Sequence, residues 1–159
     1  MSLILDGTGG ITFNNATTQA SAGQVLQVVN ATFSTETNVS SSTYVDSGLT
    51  VSITPKFATS KILVSVNLCG CLKDTGNTGL DSRLVRNSTT LIVISRGAAE
   101  TGNTTKNDIG SVSTSYLDSP ATTSATTYKV QIASTSNVAQ ARICQNGVTS
   151  TITVMEIAQ

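Results

Sequence analysis

Short runs in which apolar and polar residues alternate with a period of two recur along this chain. Leu49, Val51 and Ile53 alternate with Thr50, Ser52 and Thr54 until Pro55 stops the run, which is the pattern of a strand with one buried face. Ile62, Val64, Val66 and Leu68 repeat it, with Leu63, Ser65, Asn67 and Cys69 opposite. Both of those faces are partly apolar, so this run is predicted to be a central strand. Further strand candidates are Val25 to Phe33, Thr43 to Asp46, Leu80 to Leu84, Leu91 to Ile94, Val112 to Leu117, Tyr128 to Ile132, Ala139 to Ile143 and Ser150 to Ile157. Turn chemistry separates them: Asp74 to Gly79, Asn87-Ser88, Gly97 to Asp108, Asp118-Ser119-Pro120 and Gln145-Asn146-Gly147. No strand–helix alternation supports a parallel sheet. Roughly eight to ten short strands at this spacing predict an antiparallel all-β sandwich or barrel.

The start of the chain stands apart. Leu3-Ile4-Leu5 and Ile11-Thr12-Phe13 flank Asp6-Gly7-Thr8-Gly9-Gly10, a hairpin-like arrangement. Residues 14–23 are small and polar without periodicity, and are predicted to be a linker. An isolated two-stranded hairpin is marginal in water. Residues 1–23 are therefore expected to form an attachment or oligomerisation segment, and 24–159 the sandwich. Leu3, Ile4, Leu5, Ile11 and Phe13 are the residues expected to dock.

Composition sharpens this picture. Only 11% of the 159 residues are charged, against about 25% in an average soluble domain, while 21 Ser and 27 Thr supply polar surface. Nine basic and nine acidic residues cancel, and the bases are scattered, so neither nucleic acid nor an anionic membrane is an expected partner. A neutral, weakly charged surface gives little protection against association, which favours an obligate oligomer. No run approaches the ~20 apolar residues of a membrane span. The first residues lack the basic start of a signal peptide, so synthesis in the cytosol of the producing cell is expected. Five Asn-x-Ser/Thr sequons, at Asn15, Asn30, Asn38, Asn87 and Asn103, are attributed to the abundance of Ser, Thr and Asn.

The chemistry is sparse. Without histidine, a Ser-His-Asp triad and a Cys-His pair are excluded, and general acid–base work loses its commonest carrier. Asp6, Asp46, Asp74, Asp81 and Asp118 are read as turn or strand-end residues bonding their own backbone. Cys69, Cys71 and Cys144 are too few and too closely spaced for an ordinary zinc site, and are read as small buried hydrophobes. The loop from Asp74 to Asp81 lacks the alternating acids and terminal Glu of a calcium loop. No catalytic residue, cofactor or metal is expected. Thr75 and Asn77 in the turn-rich loop Asp74 to Gly79, and Asn103 and Lys106 in the polar loop Gly97 to Asp108, are the candidate ligand-facing positions.

Four stretches carry a resemblance. They are Leu5 to Asn15; Thr54-Pro55 with Ser60 to Val64; Tyr116 to Pro120 with Thr127 to Gln131; and Thr151 to Ile157. In this order they resemble segments of tail-fibre-like and virion structural proteins of tailed bacteriophages, especially those of marine and cyanobacterial hosts. The resemblance implies a jelly-roll-like sandwich, usually a homotrimer, mounted on the virion surface through its N-terminal segment. The shortness of the chain favours a capsid decoration, cement or short head-fibre protein bound to other virion proteins. A tail-fibre or receptor-binding knob recognising a host-surface glycan is the alternative, and a capsule depolymerase is disfavoured.

Overall fold

A computed structural model describes residues 4–6, 10–12, 18–19, 24–74, 76–98, 100, 102–103, 110–137 and 139–159, with side chains from residue 24 onward. It is all-β, as the alternation predicts. Two antiparallel four-stranded sheets hold most of the chain. One is ordered β11 (Val112–Asp118), β7 (Lys61–Leu68), β14 (Ser150–Ile157), β4 (Val25–Phe33); the other β10 (Thr89–Ala98), β9 (Leu80–Arg86), β12 (Thr126–Ser134), β6 (Val45–Ile53). We call them the first and second sheets. Numbered by their own succession, the eight strands run 6-3-8-1 in the first and 5-4-7-2 in the second. That wrapping is a jelly roll.

Period-two alternation explains the packing. Ile62, Val64, Val66 and Leu68 of β7, Ile152 and Val154 of β14, Leu49, Val51 and Ile53 of β6, and Tyr128, Val130 and Ile132 of β12 form one buried cluster between the sheets. Each such side chain contributes on the order of 1.5–3 kcal/mol by leaving water. The central position predicted for β7 is observed, since it pairs with both β11 and β14. The Asn87-Ser88 turn closes β9 onto β10 as predicted, with Arg86 opposite Thr89. Asn87 adopts φ 52°, tolerated by Asn, and is pinned to β12 by its N–H on the Thr127 carbonyl (2.8 Å) and its Oδ1 on the Thr127 N–H (3.0 Å).

A third sheet is built of three short strands, of which the sequence predicts one, the candidate Ala139 to Ile143. β5 (Thr37–Val39), β13 (Ala141–Ile143) and β8 (Leu72–Lys73) form a small sheet in the order β5-β13-β8. The candidates Thr43 to Asp46 and Leu49 to Ile53 are one strand, β6. Gly48 at φ 94° joins them, opposite a register shift between Lys129 and Gln131, a bulge-like irregularity that glycine accommodates. At the start of the chain, β1 (Ile4–Asp6) pairs antiparallel with β2 (Gly10–Thr12), and Thr18–Gln19 (β3) adds a third short strand on β2. The stretch read as a linker thus contributes a strand. Cutting a fully buried side chain in the main core tests its weight. Ile152→Ala should lower unfolding free energy by about 2–5 kcal/mol, read as a shifted denaturant midpoint, whereas Val93→Ala on the exposed face of β10 should change it little.

Candidate functional site

Because nearly every connection passes from one sheet to the other, the loops collect at two ends. At the first end, Val25 lies beside Ile157 and Ile157 beside Lys61, and Thr126 lies beside Ile53. The leading segment enters here, before Gln24, whose carbonyl accepts from Ala158 N–H near the C-terminus (2.9 Å). At the opposite end, Phe33 lies beside Ser150 and Val112 beside Leu68. The long loops after β8 and β10 and the small third sheet sit there. The chain thus enters the sandwich at Gln24 at one end, and Asn77 and Asn103 of the expected ligand-facing loops lie at the other.

Of the attachment residues, Ile4 and Leu5 lie on β1 and Ile11 on β2, with Leu5 paired to Ile11. Leu3 and Phe13 lie outside the described residues, as do Thr75 and Lys106 among the loop positions. Asn77 and Asn103 are exposed, and the Asn77 carbonyl accepts from the Ser136 hydroxyl at 2.5 Å.

Clusters around charged side chains organise the two ends, and the sequence alone does not assemble them. Lys73 is fully buried; its ammonium donates to the carbonyls of Gly76 (2.6 Å) and Gly102, tying together the two candidate loops. Nearby, Gly79 and Gly97 touch backbone to backbone, so a Cβ on Gly79 would stand 2.6 Å from the Gly97 Cα. Arg142 of β13 pairs with Glu36 (3.2 Å) and with Asp74, joining three connections of the same end. Asp81 belongs here too, accepting from Gly97 N–H (2.7 Å) and the Thr135 hydroxyl (2.8 Å).

The first end has its own buried ions. Asp118 holds Arg86 through both carboxylate oxygens (2.9 and 2.8 Å) and the Tyr128 hydroxyl at 2.7 Å. Burial and this carboxylate push the Tyr128 phenol far above its ordinary range. Glu156 is fully buried. Burial opposes its ionisation, but Gln27 Nε2 (2.6 Å) and the N–H groups of Lys56 (2.8 Å) and Phe57 (3.3 Å) outweigh it and hold its pKa below the ordinary 4.5. Asp46, Asp81 and Asp118 lie at or next to strand ends, as predicted, but their carboxylates tie elements together instead of bonding their own backbone. The reason is scarcity. With so few charges, those present go where hydrogen bonds from other strands satisfy them.

The outer faces of the two sheets differ. On the second sheet, Asp46 accepts from Lys129 Nζ (2.8 Å) and Gln131 Nε2 (2.7 Å), Gln131 accepts from Arg83 (2.9 and 2.7 Å), and Arg83 stacks 4.1 Å from the Tyr44 ring centre. On the first sheet, successive cross-strand rows read Val25–Ile157–Lys61, Val28–Met155–Leu63–Leu117, Asn30–Thr153–Ser65–Ser115 and Thr32–Thr151–Asn67–Ser113. The polar rows are linked internally: Asn30 to Thr153 (2.8 Å), Ser65 to Ser115 (3.1 Å) and Ser113 to Asn67 (2.8 Å). A shallow depression of about 320 Å³ runs over them.

The cysteines are free, Cys71 and Cys144 buried and Cys69 half-buried. Burial pushes the Cys71 thiol up to about 11. Among the described residues, no group of three or more Cys, Asp or Glu is arranged to hold a metal ion, and no helix is long and apolar enough to cross a membrane.

The strand wiring defines the class: an antiparallel all-β jelly roll. A scan against family models finds no match, and a search of curated proteins finds none either. Among solved structures the chain is similar to VP2 of infectious bursal disease virus in its subviral particle, with a TM-score of 0.53 and 12% identity, over 99% of this chain and 37% of that one. A structure of the infectious bursal disease virus Gt strain (TM-score 0.44, 11% identity, covering 100% of this chain and 42% of that chain) and the T=1 particles derived from the virus (0.42, 11%, 100% and 41%) also align. The first likeness shows the shared fold, and this chain spans well under half the length of each of the three.

Two measurements probe these ties. Glu156→Gln should cost about 1–3 kcal/mol at neutral pH, the range for hydrogen bonds to a buried charge. A depressed folded-state pKa adds stability above the unfolded value of 4.5 and loses it as pH falls through the folded one. The gap between wild type and variant should therefore close in acid, as followed by melting curves at several pH values. Lys73→Met should leave the circular dichroism spectrum intact but speed proteolytic cleavage within 74–79 and 97–108, as mapped by mass spectrometry.

Proposed function

We propose that this chain is a non-enzymatic structural module of a virion: a homotrimeric capsid decoration, cement or short head-fibre protein of a tailed phage, docked through its N-terminal segment. The observation that carries the reading is the polarity of the sandwich. The chain enters the sandwich at one end, and the loops after β8 and β10, tied together by Lys73, stand at the other, as suits a mounted module. Likeness in fold to a viral capsid protein supports a virion role, and the resemblance of the four sequence stretches supports the tailed-phage assignment. The absence of His from the sequence and the use of Asp118, Asp81 and Glu156 as structural ties leave little for turnover.

A second reading is favoured by one observation. The loops carrying Asn77 and Asn103 are braced by Lys73 and Arg142 rather than left slack, which suits a surface that recognises a host glycan. Exposed hydroxyls and amides would supply its contacts, without aromatic stacking. Genetic complementation separates the two. If the module decorates, Leu5→Asp or Phe13→Asp should abolish incorporation into particles, with the density of the protein mapped on intact virions by electron microscopy. If it recognises a receptor, changes within 75–79 or 102–107 should abolish adsorption by at least tenfold while particles still assemble. Normal particles from both sets of variants would overturn both readings.

A further inference from the structure

We infer that the outer face of the first sheet is the surface through which copies of this chain pack against one another; the inference rests on the self-assembling reading above and names the contact. Three of the four rows run unbroken across all four strands, so the face is a continuous plane rather than scattered residues. One row, Val28–Met155–Leu63–Leu117, is entirely apolar, and its two edge members are left open to solvent, Val28 at 55% and Leu117 at 48%. Val25 (55% exposed) extends the patch toward the end where the leading segment enters. Isolated exposed apolar residues are ordinary, whereas a contiguous row spanning a sheet marks an interaction surface.

Charge says what covers it. Lys61 is the one ionic side chain in the four rows, whereas the outer face of the second sheet carries Asp46, Arg83 and Lys129 in one network. A basic or acidic partner would find nothing to pair with here. Another copy of the same face would meet no like charge beyond Lys61, which sits at the margin. Its Ser, Thr and Asn groups both donate and accept, so the polar rows are complementary to themselves in either a two-fold or a rotary arrangement. A four-stranded face of this length is on the order of 500 Å², most of the ~800 Å² per partner of a standard interface.

Light scattering at micromolar concentration tests the assignment. The wild-type chain should be a multimer, and Val28→Lys with Leu117→Lys should shift it to monomer, weakening association at least tenfold, with unchanged circular dichroism. Val93→Lys, on an equally open position of the second sheet (45% exposed), should leave the multimer intact. Should the double variant fail to fold, Ser115→Arg in the adjoining polar row decides by the same readout. A multimer indifferent to the first-sheet substitutions, or dissolved equally by Val93→Lys, overturns this face while leaving self-assembly standing. A wild-type monomer overturns both.

Discussion

Burial of the inward faces of the two four-stranded sheets is the interaction on which the rest of the structure depends. Once Val64 and Ile152 must meet Tyr128 and Val130 across the gap, every strand has one side already spoken for, and register becomes binding. A slip of one residue would turn the core side chains to water and bring Ser65 or Lys129 inside. The same wrapping that closes the core sorts the connections to opposite ends. The separation of the entry point at Gln24 from the loops after β8 and β10 is thus a by-product of how the chain hides its apolar surface.

Ionic groups serve a different purpose here than in most soluble domains. Glu156, Lys73 and Asp118 are buried, and their bonds reach across the sequence. Glu156 gathers Gln27, Lys56 and Phe57, and Asp118 gathers Arg86 and Tyr128. Each sits where strands end and backbone hydrogen bonding runs out. Buried ions add little net stability against a well-packed apolar alternative, but removing one partner is costly. They are better understood as fasteners that select one arrangement of loops.

Much of the fold was legible in the sequence because period-two alternation survives in single strands. Leu49 to Ile53 and Ile62 to Leu68 announce their buried faces, Asn87-Ser88 announces a turn, and the both-sided apolar character of β7 announces a central position. Elements of two or three residues hold no period, so Thr37–Val39, Leu72–Lys73 and Thr18–Gln19 passed unseen. Gly48 looked like a break because its left-handed backbone conformation, which lets β6 continue past a bulge, leaves no mark in hydrophobicity. The exposed apolar row was hidden for another reason. Val28, Leu63, Leu117 and Met155 each look ordinary in their own strands, and only cross-strand register aligns them. Lys73 likewise reads as one more scattered base until its burial is known.

The near-uncharged outer plane of the first sheet has an environmental corollary. Contacts that rely on Coulomb attraction between exposed groups fade as dissolved ions shorten the Debye length, from about 30 Å in dilute solution to about 3 Å in strong brine. Dispersion and hydroxyl–amide bonding feel that change far less. A surface made of Val, Met, Leu, Thr, Ser and Asn would therefore keep much the same adhesive strength from fresh water to concentrated salt.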